Sequence, residues 1–334
     1  DFVPSIVKIS VDLNANKANV SEVIPLSYEG QFITGMANKN IKGVFNSKTE
    51  TALDLYGKEL SYKGRLGLDL EGVALAVDGG FWVSDEYFPS LNYVNQYGAI
   101  TKRYNVGRGL PDIIKWRSPN KGIEGIAVTP NGKVYMTLES VLDVDHETKS
   151  DANFIRIIEF SPYTLSTKMF AYPYDQGVYE VTNKKGIKAK IGDIDALNDN
   201  ELLLIEQGDK KDGGFRNAVF KVNIKDAIDI THKKLPNGKV LEYGLFEEMK
   251  RFFLPKTKVF EAREFGWNHK KMEGVAIIID NRTIAVINDN DFGYDDYKKL
   301  PSSKDGHHFR LTTKTPDQRK TEIWVVRFDR SLVN

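Results

Sequence analysis

A chain of 334 residues with 47 Lys and Arg against 46 Asp and Glu carries a net charge of +1, so no overall field draws it to nucleic acid or to an anionic membrane. Its 28% charged and 41% hydrophobic residues are the composition of a folded globular protein, and the length suits one large all-β domain. The absence of cysteine excludes disulfides, thiolate metal sites and a cysteine nucleophile.

The first segment, SIVKISVDL (5–13), alternates apolar and polar residues and predicts a strand. The chain opens on Asp1 rather than Met, and the expectation is an exported protein, periplasmic or secreted, whose signal peptide has been removed. Residues 68–87, LDLEGVALAVDGGFWVSDEY, predict a hairpin: two apolar runs flank Asp78-Gly79, a dipeptide that favours tight turns. Acids mark its open end, with Glu71 before the first run and Asp85 and Glu86 after the second. The pattern returns as GIEGIAVTPNGKVYMTLES (122–140), GDIDALNDNELLLIEQGD (192–209) and KMEGVAIIIDNRTIAVINDNDFG (271–293). Further strands are expected in FIRIIEFSP (154–162), AVFKVNI (218–224) and TEIWVVRFD (321–329), and short helices in KDAIDI (225–230) and LFEEMKRFF (245–253). Polar loops at 142–153 and 290–320 are long enough to be functional. No apolar run approaches the length of a membrane span.

Repeated hairpins with insertions predict the blades of a β-propeller: a single all-β domain over 1–334, six-bladed, with short helical insertions and terminal strands that pair to close the ring. Glu71 to Glu86, Glu124 to Glu139 and Glu273 to Asn288 each span 15 residues, and Asp193 to Glu206 spans 13. A hairpin's first-strand start and second-strand end share one edge, so the ring gathers Glu71, Asp85, Glu86, Glu124, Glu139, Asp193, Asp195, Glu206, Glu273, Asp289 and Asp291 at one mouth. Crowded carboxylates repel one another, and a hard divalent cation relieves that; mixed Asp, Glu and Asn oxygens suit calcium better than zinc. The plain alternative is that Asp and Asn merely end strands and cap turns. Lys121, Arg156, Arg216 and Lys271 accompany the acids, either as an anion site beside the metal or as ordinary ion-pair partners.

Taken together, the fragments LDLEGVALAVDGGFWVSDEYFPSL, NKGIEGIAVTPNGKVYMTLES, GDIDALNDNELLLIEQ and KMEGVAIIIDNRTIAVINDNDFG resemble the phytase-like family, also described as esterase-like activity of phytase, over about residues 30–295. The resemblance implies a β-propeller, commonly exported, and a calcium-dependent hydrolase of phosphoric or related esters. Its motif acids fall on Asp69, Glu71, Asp85, Glu86, Glu124, Glu206, Glu273, Asn288, Asp289, Asn290 and Asp291, and its basic positions on Lys121, Arg156, Arg216 and Lys271. Leu68 stands where an Arg is expected and Glu139 where Gln is usual, which adds a negative charge to the mouth.

The expected metal ligands are therefore Asp69, Glu71, Asp85, Glu124, Glu139, Asp193, Glu273, Asn288, Asp289 and Asp291. Glu86 or Glu206 is the expected general base, and Lys121, Arg156, Arg216 and Lys271 steady the phosphoryl oxygens of a small anionic ester. Two alternatives stay open. One is a carboxylic-ester or lactone hydrolase with Trp82, Tyr87, Phe88 and Phe292 lining an acyl pocket; the other is a binding propeller whose calcium is structural. A monomer is expected, with no nucleic-acid partner.

Overall fold

The structure is a computed structural model that describes residues 2–36, 52, 59, 60, 64–182, 186–278, 280–299 and 309–333. Residues 300–308 of the 290–320 loop lie outside the described residues. The chain is mostly β. An N-terminal hairpin, β1 (Ser5–Asp12) with β2 (Lys17–Pro25), leads into the short strands β3 (Ser27–Tyr28) and β4 (Gln31–Phe32). Four antiparallel sheets follow. The first contains β5 (Leu70–Leu75), β6 (Phe81–Asp85), β7 (Ser90–Val94) and β8 (Ala99–Val106), with β3, β4 and β9 (Gly109–Leu110) at its outer side. The second runs β10 (Ile123–Val128), β11 (Val134–Leu138), β12 (Ile155–Ser161) and β13 (Ser166–Tyr172).

A two-strand ladder of β14 (Val181–Thr182) and β15 (Gly186–Ile187) precedes the third sheet. That sheet is β16 (Lys190–Ala196), β17 (Glu201–Asp209), β18 (Phe215–Asn223) and β19 (Lys256–Glu261). The fourth has β20 (Gly274–Ile277) and β21 (Thr283–Ile287); the hairpin of β22 (Tyr294–Lys299) and β23 (Phe309–Thr313) intervenes before β24 (Ile323–Arg327) joins β21.

All four repeated motifs are thus hairpins, and each opens its sheet. Gly79 and Gly132 take φ of 85° and 80° in the first two turns, where a side chain at Cβ would be strained. The four opening strands stand side by side in the order β5, β10, β16, β20. Strand period explains how β17 serves two neighbours at once. Leu202 and Leu204 enter an apolar core shared by the first three sheets, with Trp82, Ile126, Met136, Ile158 and Phe220. Leu203 and Ile205, on the other face, enter a second core with Trp267, Met272, Ile284 and Val286 of the fourth sheet.

Close approach of the opening strands requires the glycine of the Glu-Gly motif. A Cβ on Gly72 would lie 2.8 Å from the Glu124 carbonyl oxygen, and one on Gly125 would lie 2.8 Å from the Asp193 Cα. Gly125→Ala is therefore expected to cost about 1–3 kcal/mol, because backbone rather than a flexible side chain would have to shift. Denaturant unfolding would read this as a lower midpoint at unchanged slope.

Two expectations fail here. The terminal strands do not pair with each other: β1 pairs with its neighbour β2 and β24 with β21, local antiparallel partners that need little loop closure. Val73, Leu75 and Val77 remain exposed in and beside β5. KDAIDI (225–230) forms turns and extended chain rather than a helix, since so short a segment cannot offset helix nucleation. In 245–253 only Phe246–Met249 is α-helical, followed by a 3-10 turn. Among the described residues no helix is long and apolar enough to cross a membrane.

Candidate metal centre and its lysine-lined cavity

One bulge, repeated three times, aims the acids. Leu70 pairs with Asp85 and Val73 with Val83, so the first strand carries one residue more than its partner across Glu71 and Gly72. Ile123 and Ile126 pair with Leu138 and Met136 in the second sheet, and Ile191 and Ile194 with Glu206 and Leu204 in the third. A bulge re-aims the side chain it contains. Here it presents Glu71 and Glu124 toward the space between sheets, opposite Glu86 and Glu139 at the ends of the second strands.

The oxygens of Asp69, Glu71 and Glu86 lie within 4.8 Å of one another, as do those of Glu86, Glu124 and Glu139. Glu86 belongs to both groups, so five carboxylates from two sheets form one cluster. Glu273 approaches from the fourth sheet, close enough to act electrostatically on both Glu71 and Glu124. One carboxylate oxygen of Glu124 and one of Glu139 are buried without any hydrogen-bond partner. Such an atom in a protein interior is costly and marks a place for a missing ligand or water.

Burial and mutual repulsion hold protons on this cluster. Burial first, then Glu139, Glu71 and Asp69, push Glu86 up to about 9. Burial, Asp69 and Glu273 push Glu71 up to about 8, although the residue keeps some solvent exposure. Glu124 is raised well above the carboxylate range by burial and by Glu139, Glu273 and Glu86. Glu273 rises to about 7, burial outweighing the opposing ammonium groups of Lys190 and Lys271.

The sign of the effect follows. From about pH 5 to about pH 9 the folded, metal-free chain keeps protons that the unfolded chain has released, so these groups make stability fall as pH rises. Thermal unfolding in chelator across that range is expected to show the decline, and a shallower one for Glu86→Gln. Below about pH 5 both states hold the protons and the contribution is fully present.

Glu273 and Lys190, the latter hydrogen-bonded to Glu139, also line a cavity of about 1110 Å³, whose wall includes Lys121, Lys149, Lys188, Lys270, Lys271 and Lys314. Six of these seven lysines meet a carboxylate. Lys149 lies 4.0 Å from Asp143, and Lys188 and Lys270 lie 3.7 and 2.9 Å from Asp209. Lys271 bridges Asp289 and Asp291 at 2.9 and 2.7 Å, Lys314 meets Asp291 at 2.5 Å, and Lys190 donates to Glu139. Against the upward push of burial, Lys271 and Lys314 draw Asp291 down to about 2. Lys121 has no ion-pair partner within 4.0 Å among the described residues, and burial lowers its pKa. Among the described residues the cavity wall contains a single aromatic carbocycle, Phe215.

Of the residues expected at the mouth, the structure gathers Asp69, Glu71, Glu86, Glu124, Glu139 and Glu273, with Lys121, Lys271, Asp289 and Asp291 in the cavity wall. The others go elsewhere; Asp195 accepts the Ile277 N–H and Asn290 donates to the Arg319 carbonyl, each at 2.7 Å. Asp85 is buried and accepts the backbone N–H groups of Asp69 and Phe88, and burial lifts it to about 8. Asn288 accepts from Glu322 N–H and donates to the Lys320 carbonyl, clamping two chain segments together.

Asp193 sits one bulge position beyond Glu71 and Glu124. Its carboxylate takes the direction that Gly72 and Gly125 leave empty and accepts the Val275 N–H at 2.9 Å. Glu206 faces away from the cluster, toward Tyr172, Tyr179, Lys256 and Arg216. Arg216 is held there by Asp175 and Glu261, and Arg156 is buried against Glu242 at 2.7 Å.

The residue in the place expected of Glu206 is Gln207, whose side-chain amide donates to Glu273 at 2.7 Å and accepts the Met272 N–H. Gly192 occupies the position of Glu71 and Glu124, and a Cβ there would lie 2.8 Å from the Glu273 carboxylate. Lys190 and the buried Arg117, which acts electrostatically on Glu86 and Asp85, are the other residues that pattern alone does not single out. Trp82 packs in the core against Tyr93, Tyr104 and Phe160, not at the mouth.

The chain is 23% identical over 181 residues to an uncharacterized secreted protein of Arthroderma benhamiae, a stretch that is 43% of this chain and 35% of that protein. The match thus spans about a third of that relative's length. Among solved structures it is similar to a luciferin-regenerating enzyme at 11% identity, with 74% of this chain and 79% of that chain covered and a TM-score of 0.32. It is also similar to virginiamycin B lyase from Staphylococcus aureus at 12% identity, with coverages of 83% and 84% and a TM-score of 0.31. These two scores are too low to carry over an activity. The model of the phytase-like family, esterase-like activity of phytase, matches residues 3–292, and the chain belongs to that family.

Proposed function

We propose that the protein is a calcium-dependent hydrolase of phosphoric esters, exported to the periplasm or secreted, and acting as a monomer. Its chain, 1–334, is read as one propeller of six blades, with the carboxylate cluster at the mouth. The observation that supports this reading is the pairing of two environments: an all-oxygen cluster with two buried, unpartnered carboxylate oxygens, joined through Lys190 on Glu139 to a cavity walled by lysines. The donor set suits a hard divalent cation and offers no nitrogen or sulfur to a softer one. Asp69, Glu71, Glu86, Glu124 and Glu139 would hold it, with Glu273 completing the charge.

When bound, calcium supplies positive charge that polarises a phosphoryl oxygen. The chain's own residues do the rest. Lys121, half-buried and with no ion-pair partner within 4.0 Å among the described residues, takes an anionic oxygen of the substrate. The other wall lysines, each already opposite an acid, frame the entrance without adding a large uncompensated charge. Glu86, which belongs to both carboxylate groups, is the residue proposed to take the proton of an attacking water. A wall of lysines with one aromatic carbocycle favours an anionic ester over an apolar acyl chain.

Release of phosphate from an aryl phosphate is the test. Turnover is expected to vanish with chelator and to return with calcium but not with an equal concentration of a monovalent salt. Turnover indifferent to chelator, or confined to uncharged acyl esters, would end the proposal.

A further inference from the structure

We infer that Lys190 is the resident counter-ion of the metal-free mouth, and that a divalent cation binds by displacing its ammonium from Glu139. This rests on the calcium reading above. Lys190 opens β16, and its Nζ donates to Glu139, one of the three carboxylates whose oxygens converge with Glu86 and Glu124. Glu273 and Glu124 also act on it electrostatically, so three carboxylates borne by two different sheets bear on one ammonium. The other paired wall lysines meet Asp143, Asp209, Asp289 or Asp291, none of them in that trio. Lys190 alone among them neutralises the trio itself.

The side chain is free to leave. It is 36% exposed and lines the cavity, whereas the Glu139 side chain is only 5% exposed. The carboxylate is fixed and the ammonium, at the end of four methylenes, can swing outward. One positive charge thus covers for two while the metal is absent, and the metal must outcompete it for a Glu139 oxygen.

Calorimetric titration of chelator-stripped protein with calcium would test this, using wild type, Lys190→Met and Lys190→Arg. Lys190→Met is expected to bind calcium at least tenfold more tightly and to melt several degrees lower without it; Lys190→Arg is expected to stay within a few-fold of wild type. Independently, amine labelling of the wild type read by mass spectrometry should show Lys190 becoming several-fold more reactive when calcium is added. That arm needs no variant to fold. If wild type binds calcium, but Lys190→Met binds no tighter and Lys190 labelling does not move, the displacement idea is wrong and the metal reading survives. If neither wild type nor variant binds calcium, the metal reading falls and takes this inference with it.

Discussion

Glu124→Gln is expected to weaken calcium binding by about a hundredfold or more and to reduce phosphoester turnover to background, while making the metal-free protein more stable. Glu124 lies between Glu86 and Glu139, buried, with one oxygen that has no partner. Glutamine keeps the volume and one oxygen but removes the charge and brings an N–H₂ group. In the absence of metal that group can donate to a neighbouring carboxylate at any pH, a charge-assisted bond contributing about 1.5–3 kcal/mol, whereas Glu124 can donate only while it keeps the proton that burial and Glu139 hold on it. In the presence of metal the loss dominates, because affinity of a hard-oxygen site follows the number of charged ligands it offers. Thermal unfolding with chelator and calcium titration of the same samples would measure both halves. A variant less stable than wild type in chelator, or one with unchanged affinity, would show that Glu124 is not held in a strained, metal-seeking cluster.

That opposition between stability and binding is also why much of the site is readable in the chain. The hairpins recur with acids at their open ends, and in the first two sheets those acids converge. The reading from spacing was sound for Glu71, Glu86, Glu124, Glu139 and Glu273, whose separations follow strand and bulge geometry. It slipped in the third repeat, where Asp193 to Glu206 spans 13 residues. Gly192 to Gln207 spans 15, and this is the pair that occupies the structural positions. The motif there is Gly-Asp rather than Glu-Gly, and a one-residue change of register in a strand sends a side chain to the opposite face. Glu206 therefore looks like a mouth residue by chemistry and is not one by parity.

Other misplacements have a different cause. Arg156 and Arg216 stand at the starts of β12 and β18, but their partners, Glu242 and Glu261, lie 86 and 45 residues away along the chain. No local pattern announces such pairs. Ring closure was likewise inferred from the presence of terminal strands, whereas strand pairing depends on which edges are available. Lys190 carries no motif at all; only the position of Glu139 beside it gives it meaning.

The sharpest separation of scaffold from site is expected from Glu206→Ala, which should destabilise the protein by about 3–5 kcal/mol and leave calcium affinity unchanged. Glu206 is fully buried and accepts hydrogen bonds from Tyr172 at 2.6 Å, Tyr179 at 2.8 Å and Lys256 at 2.7 Å, with Arg216 at 3.5 Å. Asp175 joins the same network by pairing with both cations at 2.6 Å. Removing Glu206 strands two buried hydroxyls and leaves Lys256 and Arg216 to Asp175 and Glu261, so the penalty is that of a broken buried network rather than of one lost bond. Glu206→Gln, which keeps an acceptor for the tyrosines, should recover part of the loss. Because β17 turns Glu206 and Gln207 to opposite faces, Gln207→Ala should do the reverse: it frees Glu273 of its amide donor and should alter calcium affinity by more than Glu206→Ala does. Denaturant unfolding and calcium titration of the three variants decide the matter. A fall in affinity for Glu206→Ala comparable to that of Glu124→Gln would return Glu206 to the mouth and overturn the parity argument.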